Sequence, residues 1–217
     1  MEYLFTEVIN LDEIPNTRKF IFKEKVPYSQ VYSFIRDRIR AIRVDLHVQQ
    51  PMSTCSKEYV MSHEAALRFE LLSMYIVKGD ISQTSSKKSS MAPGATEKFD
   101  EKMALKAMSQ TIEPLLNSYR HCRESQEAKN DPAASSSSDE DMPPVYTSPN
   151  EGFIRRMITL LLIQDQEQLL AQISKLSDEM IALETIGDAL KVFAAYQSQD
   201  YAEFFRFYRT CLNDVAP

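Results

Sequence analysis

Apolar residues return every three or four positions along most of the chain, the period of a helix with one buried face. The clearest stretch is Phe34 to Gln49, where Ile35, Ile39, Ile42 and Leu46 share one face. Pro27 suits the first turn of this helix and Pro51 stops it. A second helix is predicted from Thr54 or Ser56 to Gly79, with Tyr59, His63, Ala66, Leu67, Glu70, Leu71 and Met74 on its periodic face. A third runs from about Phe99 to His121 and turns Met103, Ala107, Ile112, Leu115, Leu116 and Tyr119 inward, with a bend at Pro114. Past Asn150, which suits an N-cap, Phe153, Met157, Leu160 and Leu161 form the core face of another helix. Gln166 to Leu176 reads as a short amphipathic helix, Asp178 caps a longer one through Tyr196, and Tyr201 to Leu212 closes the series. With four glycines and no hairpin dipeptide such as Asn-Gly, the fold class is all-α. Paired helices joined by turns point to stacked helical hairpins, a small α-solenoid.

Two stretches break the pattern. Residues 80–97 are rich in Ser, Thr, Lys and Pro-Gly, and residues 123–149 hold four consecutive serines and an Asp-Glu-Asp run. Neither buries enough apolar surface to offset chain entropy, so both are predicted to be disordered loops. The resulting layout is an irregular basic lead-in (1–26), a helical domain (27–212) interrupted by those loops, and a tail (213–217).

Charge adds a second stripe to the first helix. Arg36, Arg40, Arg43 and His47 follow the apolar residues one place later, at the same spacing. Arginine forks at this density suit carboxylate pairing or an external polyanion. The whole chain has 31 acidic and 25 basic residues, a net charge of −6, which argues against general coating of nucleic acid. Locally, Arg18, Lys19, Lys23 and Lys25 interleave with Phe20 and Phe22, a composition that stacks and neutralises single-stranded RNA or anchors the lead-in on the core. Arg18, Lys19, Lys23, Lys25, Arg36, Arg40 and His47 are therefore candidate contacts for RNA or an acidic partner. Asp45 has no basic residue three or four places before it, and a carboxylate beside a core stripe needs a partner. Arg68 of the next helix is the first candidate, and Asp37 reaches Arg40 at three residues' spacing. On this reading Asp37, Arg38 and Asp45 lie inside, with Arg36, Arg40 and His47 outside.

Catalytic signatures are missing. The chain has no G-x-S-x-G, no H-E-x-x-H, no phosphate-cradling glycine loop and no paired cysteines. Cys55, Cys122 and Cys211 are odd in number and far apart, and His47, His63 and His121 are well separated. They make neither a disulfide framework nor a metal pattern, so no catalytic residue, metal or cofactor is assigned. The longest strongly apolar run, Met157 to Ile163, is too short to cross a bilayer.

Phe34, Asp37, Arg38, Arg40, Ile42, Arg43, Asp45 and Gln49 spell F-x-x-D-R-x-R-x-I-R-x-D-x-x-x-Q. This resembles the signature of the Sac-three/GANP family, scaffolds of the nuclear mRNA-export complex called TREX. His63-Glu64 with Arg68-Phe69, the stretch Leu105 to Tyr119, and Asp200-Tyr201 with Phe204-Phe205 resemble later family elements in the same order. The resemblance covers about Pro27 to Leu212 and implies a TPR/PCI-like helical scaffold without a winged-helix module. It further implies a charge network of Asp37, Arg38, Arg40, Arg43, Asp45, Gln49 and Arg68 that holds the fold or an interface. The implied function is non-catalytic docking in nuclear mRNA processing and export, with partners carrying PCI or winged-helix domains and with RNA, but with no membrane and no small-molecule substrate. Two other roles share the architecture: a structural subunit of a proteasome-lid or translation-initiation type particle, and a centrosome- or spindle-associated interaction protein, located in the cytoplasm or at the centrosome. The family often has glycine before its late Y-x-x-F-F element; Gln199 stands here, which argues against a left-handed turn.

Two further candidates follow from local pattern. Tyr201, Phe204, Phe205 and Tyr208 share a helical face, and Phe204, Phe207 or Tyr208 is predicted to form a partner patch. Ser136, Ser137 and Ser138 each precede an acid by three residues, and Ser148 precedes a proline, which makes them candidate phosphorylation sites.

Overall fold

A computed structural model describes residues 28–49, 56–84, 100–130 and 145–213. These residues form eight helices and no strand: α1 (Tyr28–Gln49), α2 (Lys57–Thr84), α3 (Glu101–Asn130), α4 (Glu151–Leu161), α5 (Gln166–Ile173), α6 (Asp178–Ile181), α7 (Glu184–Gln197) and α8 (Tyr201–Asn213). The all-α class stands. The chain divides into two compact units, residues 1–147 and 148–217.

In the first unit α2 is central and packs against both α1 and α3. Tyr32 meets Glu70 while Arg43 acts on Tyr59, so the numbering rises on one helix as it falls on the other. Helices α1 and α2 are therefore antiparallel. Tyr119 meets Glu64, and Gln110 lies near Glu70, which makes α3 antiparallel to α2 as well. The apolar stripe of α1 behaves as its spacing requires at Ile35 and Ile39, which are buried, and opens to half-buried at Ile42 and Leu46. Because α2 has a neighbour on two sides, its buried set is wider than one stripe. It includes Tyr59, Val60, Ala66, Leu67, Phe69 and Ile76. Phe69 stacks on Tyr32 at 5.7 Å between ring centres.

Two boundaries differ from the sequence reading. Helix α2 continues through Gly79 to Thr84, so residues 80–84, expected to begin a loop, are helical. Helix α3 begins two residues late and runs on to Asn130, so residues 123–130 are helical as well. Polar composition there suits disordered chain, yet Arg, Glu, Gln, Ala and Lys are also good helix formers on a solvated face. Buried Cys122 anchors the helix just before that stretch, and Arg120 and Glu124 lie 3.9 Å apart on its exposed side. The remainder of both expected loops, 85–99 and 131–144, and the lead-in 1–26 lie outside the described residues.

In the second unit α7 packs against α4, α6 and α8. The inward face of α4 is Ile154 and Ile158, followed by Leu162, rather than the expected Phe153, Met157, Leu160 and Leu161, which are half-buried. Asn150 occupies the N-cap but makes no side-chain cap bond; its own N–H donates to Ser148 Oγ at 3.1 Å. The single helix expected from Asp178 to Tyr196 is two, because the chain is extended at Leu183 (ψ 126°). Asp165 caps α5 by accepting from the Gln168 N–H, and α5 ends at Ile173 rather than Leu176.

The turn from α7 to α8 overturns one expectation. Gln199 has φ 58°, the left-handed conformation that glycine adopts without strain. Its N–H donates to the Tyr196 carbonyl at 3.2 Å, and the Asp200 N–H donates to the Ala195 carbonyl at 3.0 Å. This is the paired closure of a Schellman motif, made without glycine. The Asp200 carboxylate then accepts from the Glu203 N–H at 3.0 Å and starts α8.

Candidate functional site

The inner faces of α2 and α3 carry buried polar groups, among them His63, Glu64, Glu70, Ser73 and Thr111, which are bound to another helix or to their own turn. Tyr32 donates its hydroxyl to Glu70 Oε2 at 2.8 Å. Burial and the nearby Glu70 carboxylate push the Tyr32 hydroxyl well above its ordinary pKa, and burial lifts the Glu70 carboxyl too. Tyr119 donates to Glu64 Oε1 at 2.6 Å, and Arg68 lies 3.9 Å from the same carboxylate. His63 is buried, with Nδ1 2.8 Å from the Tyr59 carbonyl. A carbonyl only accepts, so Nδ1 carries the proton. Burial lowers the His63 pKa to about 4, which leaves the ring neutral.

Arg43 crosses from α1 to α3 and donates from Nη2 to the Gln110 carbonyl at 2.9 Å. Burial lowers its pKa. Its Nε is buried and has no hydrogen-bond partner among the described residues. Around it opens a cleft of about 290 Å³. Arg36, Arg40 and Arg43 of α1 face Lys106 and Gln110 of α3 across it, with Ala66 and Glu70 of α2 at the base. Arg36 also lies 6.0 Å over the Tyr32 ring.

The family-motif residues are thus distributed differently from the sequence expectation. Asp37, Arg38 and Asp45, expected inside, are exposed, and Arg36, expected outside, is half-buried, as is Arg43; only Arg40 and His47 lie outside as expected. Arg38 lies 5.3 Å over the Phe34 ring. Arg68 pairs with Glu64 of its own helix instead of with Asp45. The reason is rotational: the antiparallel packing on α2 uses the Tyr32–Ile35–Ile39 line, and Asp45 lies away from it. Arg40, His47 and Gln49 are exposed. Arg18, Lys19, Lys23 and Lys25 lie outside the described residues, as do Ser136, Ser137 and Ser138. Ser148 is buried, and its hydroxyl oxygen accepts from the Asn150 N–H in the turn before α4.

In the second unit two buried arginines were not foreseen. Arg155 pairs with Glu151 at 2.8 Å inside α4, and Arg156 donates to the Cys211 carbonyl of α8 at 2.8 Å. The sequence signal was present, since both lie beside Ile154 and Ile158. On α8, Tyr208 is 37% exposed and Phe204 and Phe207 are half-buried, but the most exposed aromatics are Tyr201 (73%) and Phe205 (55%). Phe204 stacks on Tyr208 at 5.9 Å and meets Phe205 edge-on at 5.4 Å. Tyr196, Tyr201, Phe204 and Phe205 line a second cleft, of about 540 Å³, with four glutamines and Asp200.

No group of three or more metal-ligating side chains occurs among the described residues, and no described helix is long and apolar enough to cross a membrane. Among known proteins, the SAC3/GANP family model matches residues 1–213, nearly the whole chain, and the chain belongs to that family, which is linked to mRNA-export scaffolding. No curated protein and no solved structure matches.

Proposed function

We propose that this SAC3/GANP chain is a non-catalytic scaffold of nuclear mRNA processing and export, which docks protein partners bearing PCI or winged-helix domains and holds RNA near them. The match across residues 1–213 carries this reading. The side-chain chemistry supports it. Three titratable groups of the first unit join helices: Glu70 to Tyr32, Glu64 to Tyr119, Arg43 to the Gln110 carbonyl. A scaffold needs such fixed struts, and a solvent-facing aromatic surface such as Tyr201, Phe205 and Tyr208 is the kind of surface a protein partner covers. RNA contact is assigned to the lead-in cations Arg18, Lys19, Lys23 and Lys25, and contact with RNA or an acidic partner to Arg36, Arg40 and His47.

The test is depletion of the protein followed by in situ hybridisation for polyadenylated RNA, paired with affinity purification with and without nuclease. Nuclear retention of the RNA, reversed by the intact chain, is the expected result, with PCI-domain partners surviving nuclease. Unchanged RNA distribution together with recovery of proteasome-lid, translation-initiation or spindle components would overturn the proposal.

A further inference from the structure

We propose that the cleft between α1 and α3 is a receptor for the carboxylates of an acidic protein segment, gripped by Arg36, Arg40, Arg43 and Lys106. This deepens the docking reading above and rests on it for its biological setting. Four cations line the cleft against one carboxyl group, Glu70. That carboxyl already accepts from the Tyr32 hydroxyl, and the four cations outnumber it. Arg43 contributes a buried Nε donor with no partner among the described residues. A buried donor left unsatisfied is costly, and a small turn of the Arg43 side chain would present its fork to an incoming acceptor. Ala66, Ala107 and Thr111 are small, which leaves the floor open between the cationic side chains.

The spacing suits an extended peptide. Arg36 and Arg43 are seven residues apart, about 10 Å along the helix axis. Carboxylates on alternate residues of an extended chain recur at about 7 Å, so two of them fall within that reach. Guanidinium forks bind carboxylates through two parallel hydrogen bonds, and a partly desolvated cleft strengthens them. RNA is the poorer fit. Single-stranded RNA needs rings on which bases stack, and no aromatic side chain lines this cleft. The net charge of −6 also works against a long polyphosphate, while a short acidic segment feels mainly the local field.

The experiment is fluorescence anisotropy on the full chain with a labelled peptide of alternating aspartate and serine, its asparagine counterpart, and an oligouridylate of matched charge. Arg40 and Lys106 are exposed, so Arg40→Glu with Lys106→Glu reverses the rim charge without touching the core. Arg40→Gln with Lys106→Gln is the milder second variant, and the thermal midpoints of both are compared with the parent. We expect the aspartate peptide to bind, the asparagine peptide not to bind, and each double variant to weaken binding by about tenfold or more while melting normally. Absence of peptide binding, binding that both variants leave unchanged, or tighter binding of the oligouridylate through the same residues overturns the inference. The two proposals fail separately. An RNA-retention phenotype without peptide binding removes this cleft and keeps the scaffold, and peptide binding without the phenotype does the reverse.

Discussion

Arg43 donates to the carbonyl of Gln110 at 2.9 Å, and Gln110 stands four residues before Pro114 in the middle of α3. Proline has no N–H, so the carbonyl four residues earlier loses its helical partner. Arg43 supplies that partner from α1. The relationship accounts for a proline inside a thirty-residue helix and for the choice of arginine on α1. Lysine would offer a point charge on a flexible stem, where the guanidinium reaches across with a fixed fork.

Arg43→Met keeps the apolar stem and leaves the exposed Gln110 carbonyl to water, at a cost of about 0.5–1.5 kcal/mol. In a Pro114→Ala background, alanine's own N–H takes over that carbonyl, and the cost of Arg43→Met shrinks. Urea unfolding of the four proteins should give a coupling of about 1 kcal/mol between the two positions. Additive effects would break the proposed link.

Gln199 pays for a left-handed conformation at the α7–α8 turn, with φ 58°. Gln199→Gly removes that cost and should stabilise the protein by about 1 kcal/mol, read as a higher thermal midpoint. A lower midpoint would mean that the Gln199 side chain contributes more than its backbone costs.

His63 is held neutral with its pKa lowered to about 4, against 6.5 in the unfolded chain. Between those values the unfolded state binds the extra proton. His63 therefore supports folding above pH 6.5, and that support is lost as pH falls from 6.5 towards 4. His63→Asn keeps a donor near the Tyr59 carbonyl and does not titrate. Its stability should fall less between pH 7 and pH 5 than the parent's, by about 1–2 kcal/mol. Parallel pH profiles would refute the assignment. The raised pKa of Glu70 acts in the opposite direction, which is why the variant comparison, not the parent curve, is decisive.

Arg156 ties α4 to the Cys211 carbonyl in the last turn of α8. Arg156→Met should free the end of α8. Hydrogen exchange ought to quicken in α8 and in the α4 turn around residue 156, with α2 unchanged. Uniform acceleration across both units would indicate a global loss of stability instead.

Helix identity was legible because apolar spacing is a local property. Ile35 and Ile39 on α1, and Ile112, Leu115 and Tyr119 on α3, are buried as their spacing requires. Boundaries were less legible. The stretch Arg123 to Asn130 is polar enough for disordered chain, and only buried Cys122 and the flanking ion pair mark it as helix. The site was legible as a set of residue types and illegible as a set of pairs. Arginines on α1 were identified, but the partner of Arg43 proved to be a backbone carbonyl, which carries no sequence signature. Asp45 was assigned to Arg68, and Arg68 pairs within its own helix because an (i, i+4) glutamate is always in reach.

By itself, then, the sequence determined the all-helical class, the family motif and the density of cations on α1, since these follow from residue type and short-range period. Tertiary structure decided which side of α1 faces α2, which arginine bridges to the carbonyl freed by Pro114, and that Gln199 turns left-handed although a non-glycine residue argued against it. Those outcomes depend on the rotation and register of neighbouring helices, and on backbone groups common to every residue, so no local pattern encodes them.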